Sequence, residues 1–141
     1  MDLLKKNTNY AIKALVALGS QKNQYVSARS ISEIQKIPYS FLRKILQVLI
    51  KNGIVESKEG GNGGFRLKLP PEHVGIIKLI EIFQGDINLA ECMFRNKMCF
   101  NRPHCVLREN ILEIQNLAIR KFSKLTIGEL INKSSKKRRK K

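Results

Sequence analysis

Apolar positions recur along most of the chain at helical spacing, interrupted once by a stretch that alternates as strands do. Between Tyr10 and Gly19, the residues Tyr10, Ala14, Leu15 and Leu18 fall on one stripe, which predicts a helix stopped by Gly19. A turn is expected around Lys22 to Gln24. Ser27 is placed to accept an N-cap hydrogen bond for a short second helix with Ile31 and Ile34 facing inward. That helix should end near Ile37, because the residue before Pro38 is pushed out of helical geometry. Pro38 suits the first turn of the next helix, where its missing N–H matters little.

The third element, Tyr39 to Asn52, carries the clearest pattern. At 100° per residue, Leu42, Ile45, Leu46 and Leu49 form one apolar face, while Ser40, Arg43, Lys44, Gln47 and Lys51 gather opposite. Gly53 is a natural left-handed residue past its end. Alone, this is also the pattern of any amphipathic surface helix. Ile54, Val55 and Ser57 then read as a strand, Lys58 to Gly64 as a glycine-rich turn, and Phe65 to Leu69 as the returning strand. A hairpin directly after a helix-turn-helix is the wing of a winged helix. The glycines also suit a phosphate cradle, but a strand follows them and the GK[ST] ending is missing.

Pro70 and Pro71 break the chain before a helix expected over His73 to Phe83, packing through Val74, Ile77, Ile80 and Ile82 or Phe83. His73, at its start, reads as a capping or surface residue. Gly85 and Asp86 end it. Beyond Cys105, the residues Leu107, Ile111, Ile114, Leu117 or Ala118, and Leu125 recur at three- and four-residue spacing over about five turns. Such a helix has more apolar stripe than one neighbour can cover, and pairing with its own copy is the natural way to bury it. Thr126 can cap a last short helix, IGELIN, before a basic tail. The fold class expected is therefore mainly α with a small β-hairpin wing: a winged helix-turn-helix plus a long C-terminal dimerisation helix. The expected boundaries are 1–70 for the DNA-binding region, 71–132 for the cysteine loop and dimerisation helices, and 133–141 for a disordered basic tail.

Composition narrows the class. The 141 residues fit one domain, and a 43% hydrophobic chain without tryptophan, its core drawn from Ile and Leu, suits packed helices. A net charge of +16 favours a polyanionic partner, nucleic acid first and an anionic membrane surface second. The terminal KKRRKK carries six of those charges, so the rest of the chain is strongly basic in its own right. No apolar run reaches the roughly 20 residues that cross a bilayer. The N-terminal MDLLKKNTNY has no apolar core of a signal, so a cytoplasmic chain without membrane attachment is expected. With two histidines and no nucleophile–base or acid pair, enzymatic activity is not expected.

The remaining chemistry is concentrated in CMFRNKMCFNRPHC, Cys92 to Cys105, which holds all three cysteines of the chain. An odd number in a chain without a secretion signal points to free thiols or metal ligands rather than a disulfide framework. Cys92, Cys99 and Cys105 are close enough to wrap one small cluster, and thiolates are the preferred ligands of iron–sulfur clusters and of zinc. Arg95, Lys97 and Arg102 would offset the negative charge of such a group. Structural zinc completed by His104 is a second reading, strained because adjacent His104 and Cys105 must both turn to one tetrahedral ion. A thiol switch that pairs two cysteines is a third, and a loop that binds nothing is the bland one.

The order NTNYAIKALVAL, ISEIQKIPYSFLRKILQVLIKNGIVES, GGNGGF, three close cysteines and a helix ending in LTIGELI resembles the Rrf-type family of winged-helix regulators, typified by the repressors IscR and NsrR. The similarity runs to about Asn132. It implies a homodimer on palindromic double-stranded DNA, paired through the long helix. It also implies an iron–sulfur cluster (2Fe–2S or 4Fe–4S) on Cys92, Cys99 and Cys105, with a fourth ligand that varies within the family. Mapped by position, the base-contacting segment falls on Ser40, Phe41, Arg43 and Lys44, with Gln47 close behind. The wing residues Lys58, Gly60, Gly61, Asn62, Gly63, Gly64 and Arg66 would lie along the backbone or minor groove.

The chain departs from the family at three places. Arg108 stands where IscR-like members carry a histidine, Asn9 where NsrR-like members use an aspartate, and Glu59 where many members place a wing arginine. Asn9, His104 and Glu91 are the candidate fourth ligands, with Asp2 or solvent also open. The resemblance thus implies a repressor that senses iron–sulfur status, nitric oxide or redox state. The alternative is a metal-free regulator of the same fold, controlled by a protein partner, thiol oxidation or structural zinc.

Overall fold

The computed structural model describes residues 2–89, 99 and 101–140. Six helices and one hairpin follow in order: α1 (Lys6–Gly19), α2 (Ala28–Gln35), α3 (Tyr39–Lys51), β1 (Val55–Lys58), β2 (Gly64–Leu67), α4 (Ile76–Gln84), α5 (Val106–Ser123) and α6 (Ile127–Arg139). Single 3-10 turns occupy Pro71–His73 and Arg102–His104.

The core sits where α1, α2, α3 and α4 meet. Ala11, Ala14, Leu15 and Leu18 of α1 pack with Ile31 of α2, Leu42, Ile45, Leu46 and Leu49 of α3, and Leu79 and Ile80 of α4. Each is at most 3% exposed, and burying a leucine-sized side chain fully is worth roughly 1.5–3 kcal/mol. Thr8 is the buried polar side chain of this region among the described residues. Its Oγ1 donates to Gln84 Oε1 at 2.7 Å, and the same oxygen accepts from the Lys5 backbone N–H at 2.9 Å. Gln84 thereby clips the chain's N-terminal segment to the end of α4.

The caps are where the sequence placed them. Ser27 Oγ accepts from Ser30 N–H at 3.1 Å, and Thr126 Oγ1 accepts from Glu129 N–H at 3.2 Å. Gly53 has φ 71°, the left-handed value that ends α3. The hairpin is antiparallel, pairing Val55 with Leu67, Glu56 with Arg66, Ser57 with Phe65 and Lys58 with Gly64. A bridge to the α1–α2 connection extends it: Val26 N–H donates to Phe65 O at 2.9 Å, and Phe65 N–H to Val26 O at 2.8 Å. A second bridge, Gly75 with Thr126, ties the start of α4 to the start of α6.

Four expectations are corrected. Ile34 does not face inward; it is 65% exposed. The short α2 meets the core through Ala28 and Ile31, one turn apart, and Ile34 falls to the side of that stripe. The fourth helix begins at Ile76 rather than His73, because Val74 and Gly75 are extended to make the bridge to α6. Leu125 is not part of the long helical stripe: α5 stops at Ser123, and the Leu125 carbonyl accepts from Ile76 N–H at 2.9 Å. Nor does α6 stop at Asn132 before a disordered tail, since it runs to Arg139. Nothing from Lys133 onward breaks a helix, and cations near a helix C-terminus oppose the negative end of its dipole.

Candidate nucleic-acid interface and cysteine loop

The helix-turn-helix is held by its turn. Lys36 adopts φ 52°, ψ 46°, Ser32 Oγ donates to the Ile37 carbonyl at 2.6 Å, and the Ile37 side chain is buried. Pro38 is the residue before α3, one position earlier than a first-turn proline. With Leu42, Ile45, Leu46 and Leu49 anchored in the core, Ser40, Arg43, Lys44, Gln47 and Lys51 are all exposed on the opposite side. The helix is thus fixed on one side and offers donors and cations on the other. Arg43 is steadied along the helix axis by Tyr39, its Nη1 3.4 Å from the phenol oxygen and its guanidinium carbon 5.9 Å from the ring centroid. Phe41 points off this face toward α1, where Lys6 Nζ lies 5.5 Å from its ring and 5.6 Å from that of Tyr10.

The wing divides into a tip and a base. Lys58, Glu59, Gly60, Gly61 and Asn62 are exposed, whereas Gly63 and Gly64 pack. Gly64 has φ 145°, and a Cβ there would lie 2.5 Å from the Val26 carbonyl oxygen; a Cβ on Gly63 would overlap the Lys58 carbonyl oxygen. Gly63 lets the hairpin turn close on its own first strand, and Gly64 lets it close against the α1–α2 connection.

Arg66 belongs to the base as well. It forms an ion pair with Glu56 directly across the ladder and stacks on Tyr25 at 4.5 Å, with Lys58 Nζ 5.7 Å from the same ring. The Arg66 guanidinium holds the Glu56 carboxyl below its usual range, opposed in part by burial and helped by the Tyr25 hydroxyl. The Glu56 partner raises Arg66 in turn. Tyr25 and Glu56 are absent from the residues singled out by sequence. Opposite charges facing each other across the hairpin were legible once its register was counted; the Tyr25 contact, from another segment, carried no local signal.

Of the cysteine loop, Cys99 and Cys105 are described, while Cys92 and Glu91 lie outside the described residues, as do Arg95 and Lys97. Both visible thiols are free and half-buried, at either end of the 3-10 turn Arg102–His104. Arg102 N–H donates to the Cys99 carbonyl at 3.1 Å, and Glu109 N–H to the Cys105 carbonyl at 3.1 Å. Cys105 is the residue just before α5, which has no side-chain cap, so the positive end of that helix favours a negatively charged group there. Two accessible thiols around one turn suit a thiolate-bound group. His104 and Asn9 are exposed, and Arg108 is half-buried. Among the described residues, no three His, Cys, Asp or Glu side chains gather at one point. The loop's approach is pinned to α5, since Leu89 N–H donates to Gln115 Oε1 at 2.8 Å.

A helix-turn-helix backed by a core, followed by a two-stranded wing, defines a winged-helix regulator, and no helix among the described residues is long and apolar enough to cross a membrane. Residues 4–133 match the Rrf2 family, described as an iron-dependent transcriptional regulator, and the chain belongs to that family. A chain of Haemophilus influenzae, named as a candidate HTH-type transcriptional regulator, is 34% identical and covers 98% of this chain and 91% of its own length. NsrR of Bacillus subtilis is 28% identical, covering 91% of this chain and 89% of NsrR. In architecture the chain is similar to CymR, the global cysteine regulator of B. subtilis, with a TM-score of 0.78 at 17% identity over 94% of this chain and 98% of CymR. It is also similar to IscR of T. potens, with a TM-score of 0.75 at 20% identity over 93% and 87%. The chain is therefore a transcription regulator of the Rrf2 family, whose winged-helix members bind DNA.

Proposed function

We propose that this chain acts as a homodimeric repressor on palindromic DNA, and that Cys92, Cys99 and Cys105 hold an iron–sulfur cluster whose state sets operator affinity. The observation that carries the DNA-reading part is the two-sided α3, with Leu42, Ile45, Leu46 and Leu49 buried and Ser40, Arg43, Lys44 and Gln47 exposed. Arg43 and Lys44 have the donor geometry for base edges in a major groove, and the exposed wing tip suits backbone contact. Glu59, exposed at that tip, opposes phosphate, so Lys58 is the cation best placed to offset it.

Dimerisation is supported by α5. Val106, Leu107, Ile114 and Leu117 are 50–69% exposed, an apolar face that a second copy would cover and that would set the spacing of the two recognition helices. The cluster is supported by the donor set and by the likeness to NsrR. When bound, it would supply a group that nitric oxide or oxygen can attack. The protein's part is to join that loop to α5 through Cys105 and through the Leu89–Gln115 hydrogen bond. A change in the loop then bears on the helix that spaces the two readers. Asn9, His104 and Glu91 remain the candidates for the fourth ligand.

The metal-free alternative, with control by a protein partner, thiol oxidation or zinc, has its support at the same place: Arg108 and Asn9 are poor iron ligands. Anaerobic purification with iron, sulfide and zinc analysis, followed by operator binding of loaded and cluster-free protein, separates the two. Iron and sulfide in comparable amounts and a change in operator affinity on cluster loss are expected. Colourless protein loaded with zinc, or equal affinity of the two forms, sinks the cluster reading.

A further inference from the structure

The basic C-terminus is an ordered part of α6, and it lies beside the DNA-reading unit. From Thr126, bridged to Gly75, the helix packs along α1 and faces the end of α2 across a groove. Ile131, Ser134, Ser135 and Arg138, spaced to share one helix face, line a groove of about 330 Å³ with Ile34 and Gln35. Gln35 is the last residue of α2, so the groove ends next to the turn Lys36–Pro38 that leads into the recognition helix α3. This is the groove over which the exposed Ile34 sits.

The last two turns of α6 carry Lys136, Lys137, Arg138 and Arg139, all exposed, followed by Lys140. At 1.5 Å per residue, those five cations fall within about 6 Å of helix axis. Like charges three and four residues apart, such as Lys136 with Arg139 and Lys136 with Lys140, each destabilise an isolated helix by a few tenths of a kcal/mol. Among the described residues, the ion pair of this helix is Lys133 with Glu129, one turn earlier. A polyanion alongside would relieve that repulsion, and DNA bound by α3, the helix that follows the turn at the end of this groove, is the polyanion nearest to hand.

We propose that the end of α6, Lys136 to Lys140, is an accessory arm that grips duplex DNA through its phosphates, beside the helix-turn-helix and without reading sequence. This rests on the DNA-binding role of α3. Lysine and arginine without a rigid fork to a base edge contribute charge, and each neutralised phosphate releases counterions. The arm thus adds affinity and salt dependence in equal measure on any sequence, and lengthens the footprint on each half-site.

The test is a salt series, from about 50 to 200 mM, of fluorescence-anisotropy titrations with the full-length protein. K136Q/K137Q/R138Q/R139Q is compared with the unaltered chain on a mixed-sequence duplex and on a palindrome selected in vitro by the unaltered chain. The slope of log affinity against log salt should become shallower by about 0.9 for each phosphate contact removed, so by about 2 to 4 per arm, equally on both duplexes. The charge-preserving K136R/K137R/R138K/R139K should keep the original slope, which a loss of fold would not. An unchanged slope overturns the arm, as does a loss confined to the palindrome. A variant that keeps its DNA slope but no longer binds phosphatidylserine vesicles assigns the helix to an anionic membrane and overturns it too. If the unaltered chain does not distinguish the two duplexes, the sequence-specific regulator reading fails, while the mixed-sequence slope still decides the arm.

Discussion

Helices α3 and α5 are both amphipathic, yet within one chain only α3 is finished. The 13 residues of α3 include four that are buried, whereas none of the 18 in α5 is. One turn after another of α3 is locked against α1, α2 and β1, leaving a polar face free for a ligand. On α5 the apolar residues Ile111, Leu112, Ile119 and Phe122 are partly covered, while Leu107, Ile114 and Leu117 stand open. The reading unit is thus stabilised by its own chain, and α5 is left with a face that only another molecule can complete. The sensing proposed above would act through this element, because a weakly determined helix can be shifted at little cost.

The largest test of this contrast is a pair of truncations. Leu46→Ala empties a fully buried site and should cost about 2–5 kcal/mol in urea unfolding. Ile114→Ala should cost under about 0.5 kcal/mol once dilution has separated the chains, as at an ordinary surface site. Equal losses would show that α5 is part of the single-chain core after all. Next in size, Gly64→Ala should lose about 1–3 kcal/mol, because the new Cβ meets the Val26 carbonyl in a backbone conformation that side chains avoid. Proteolysis within the wing would report the detached hairpin, and a variant as resistant as the parent refutes the wing's dependence on the Val26 bridge.

On the reading face, Arg43→Ala should leave stability unchanged and weaken binding to a palindromic site by about 1–3 kcal/mol while relaxing its sequence preference. The same loss on every sequence would reassign Arg43 to a phosphate contact. The smallest effect concerns the base of the wing. The folded protein holds Glu56 ionised below the usual carboxylate range, so its contribution is present at neutral pH. It fades as pH falls through that lowered value. The difference in urea midpoint between the parent and Glu56→Gln should therefore be largest at neutral pH and vanish under strong acid. A difference that grows on acidification contradicts the pairing with Arg66.

Much of the reading unit was legible in sequence because its signals are local. The α3 stripe, the Ser27 and Thr126 caps, and Gly53 each depend on residues within a turn of one another. Ile34 went astray because apolar identity does not say which side of a two-turn helix meets the core. Gln84 reaches the N-terminus across about eighty residues, and Tyr25 reaches the wing across about forty; periodicity contains neither. The basic tail misled for a different reason. A run of like charges reads as disorder by composition, but an upstream helix docked on α1 supplies the nucleus from which good helix formers continue.

By itself, the amino-acid order determined the helices, the hairpin, the basic character and the grouping of three cysteines, since these follow from spacing, caps and side-chain chemistry. Only the tertiary structure decided which apolar stripes find partners within the chain. It alone set Tyr25 against Arg66, and it alone laid the end of α6 beside α2. Those outcomes depend on which surfaces meet once the chain is packed, a competition among distant segments that no local pattern can express.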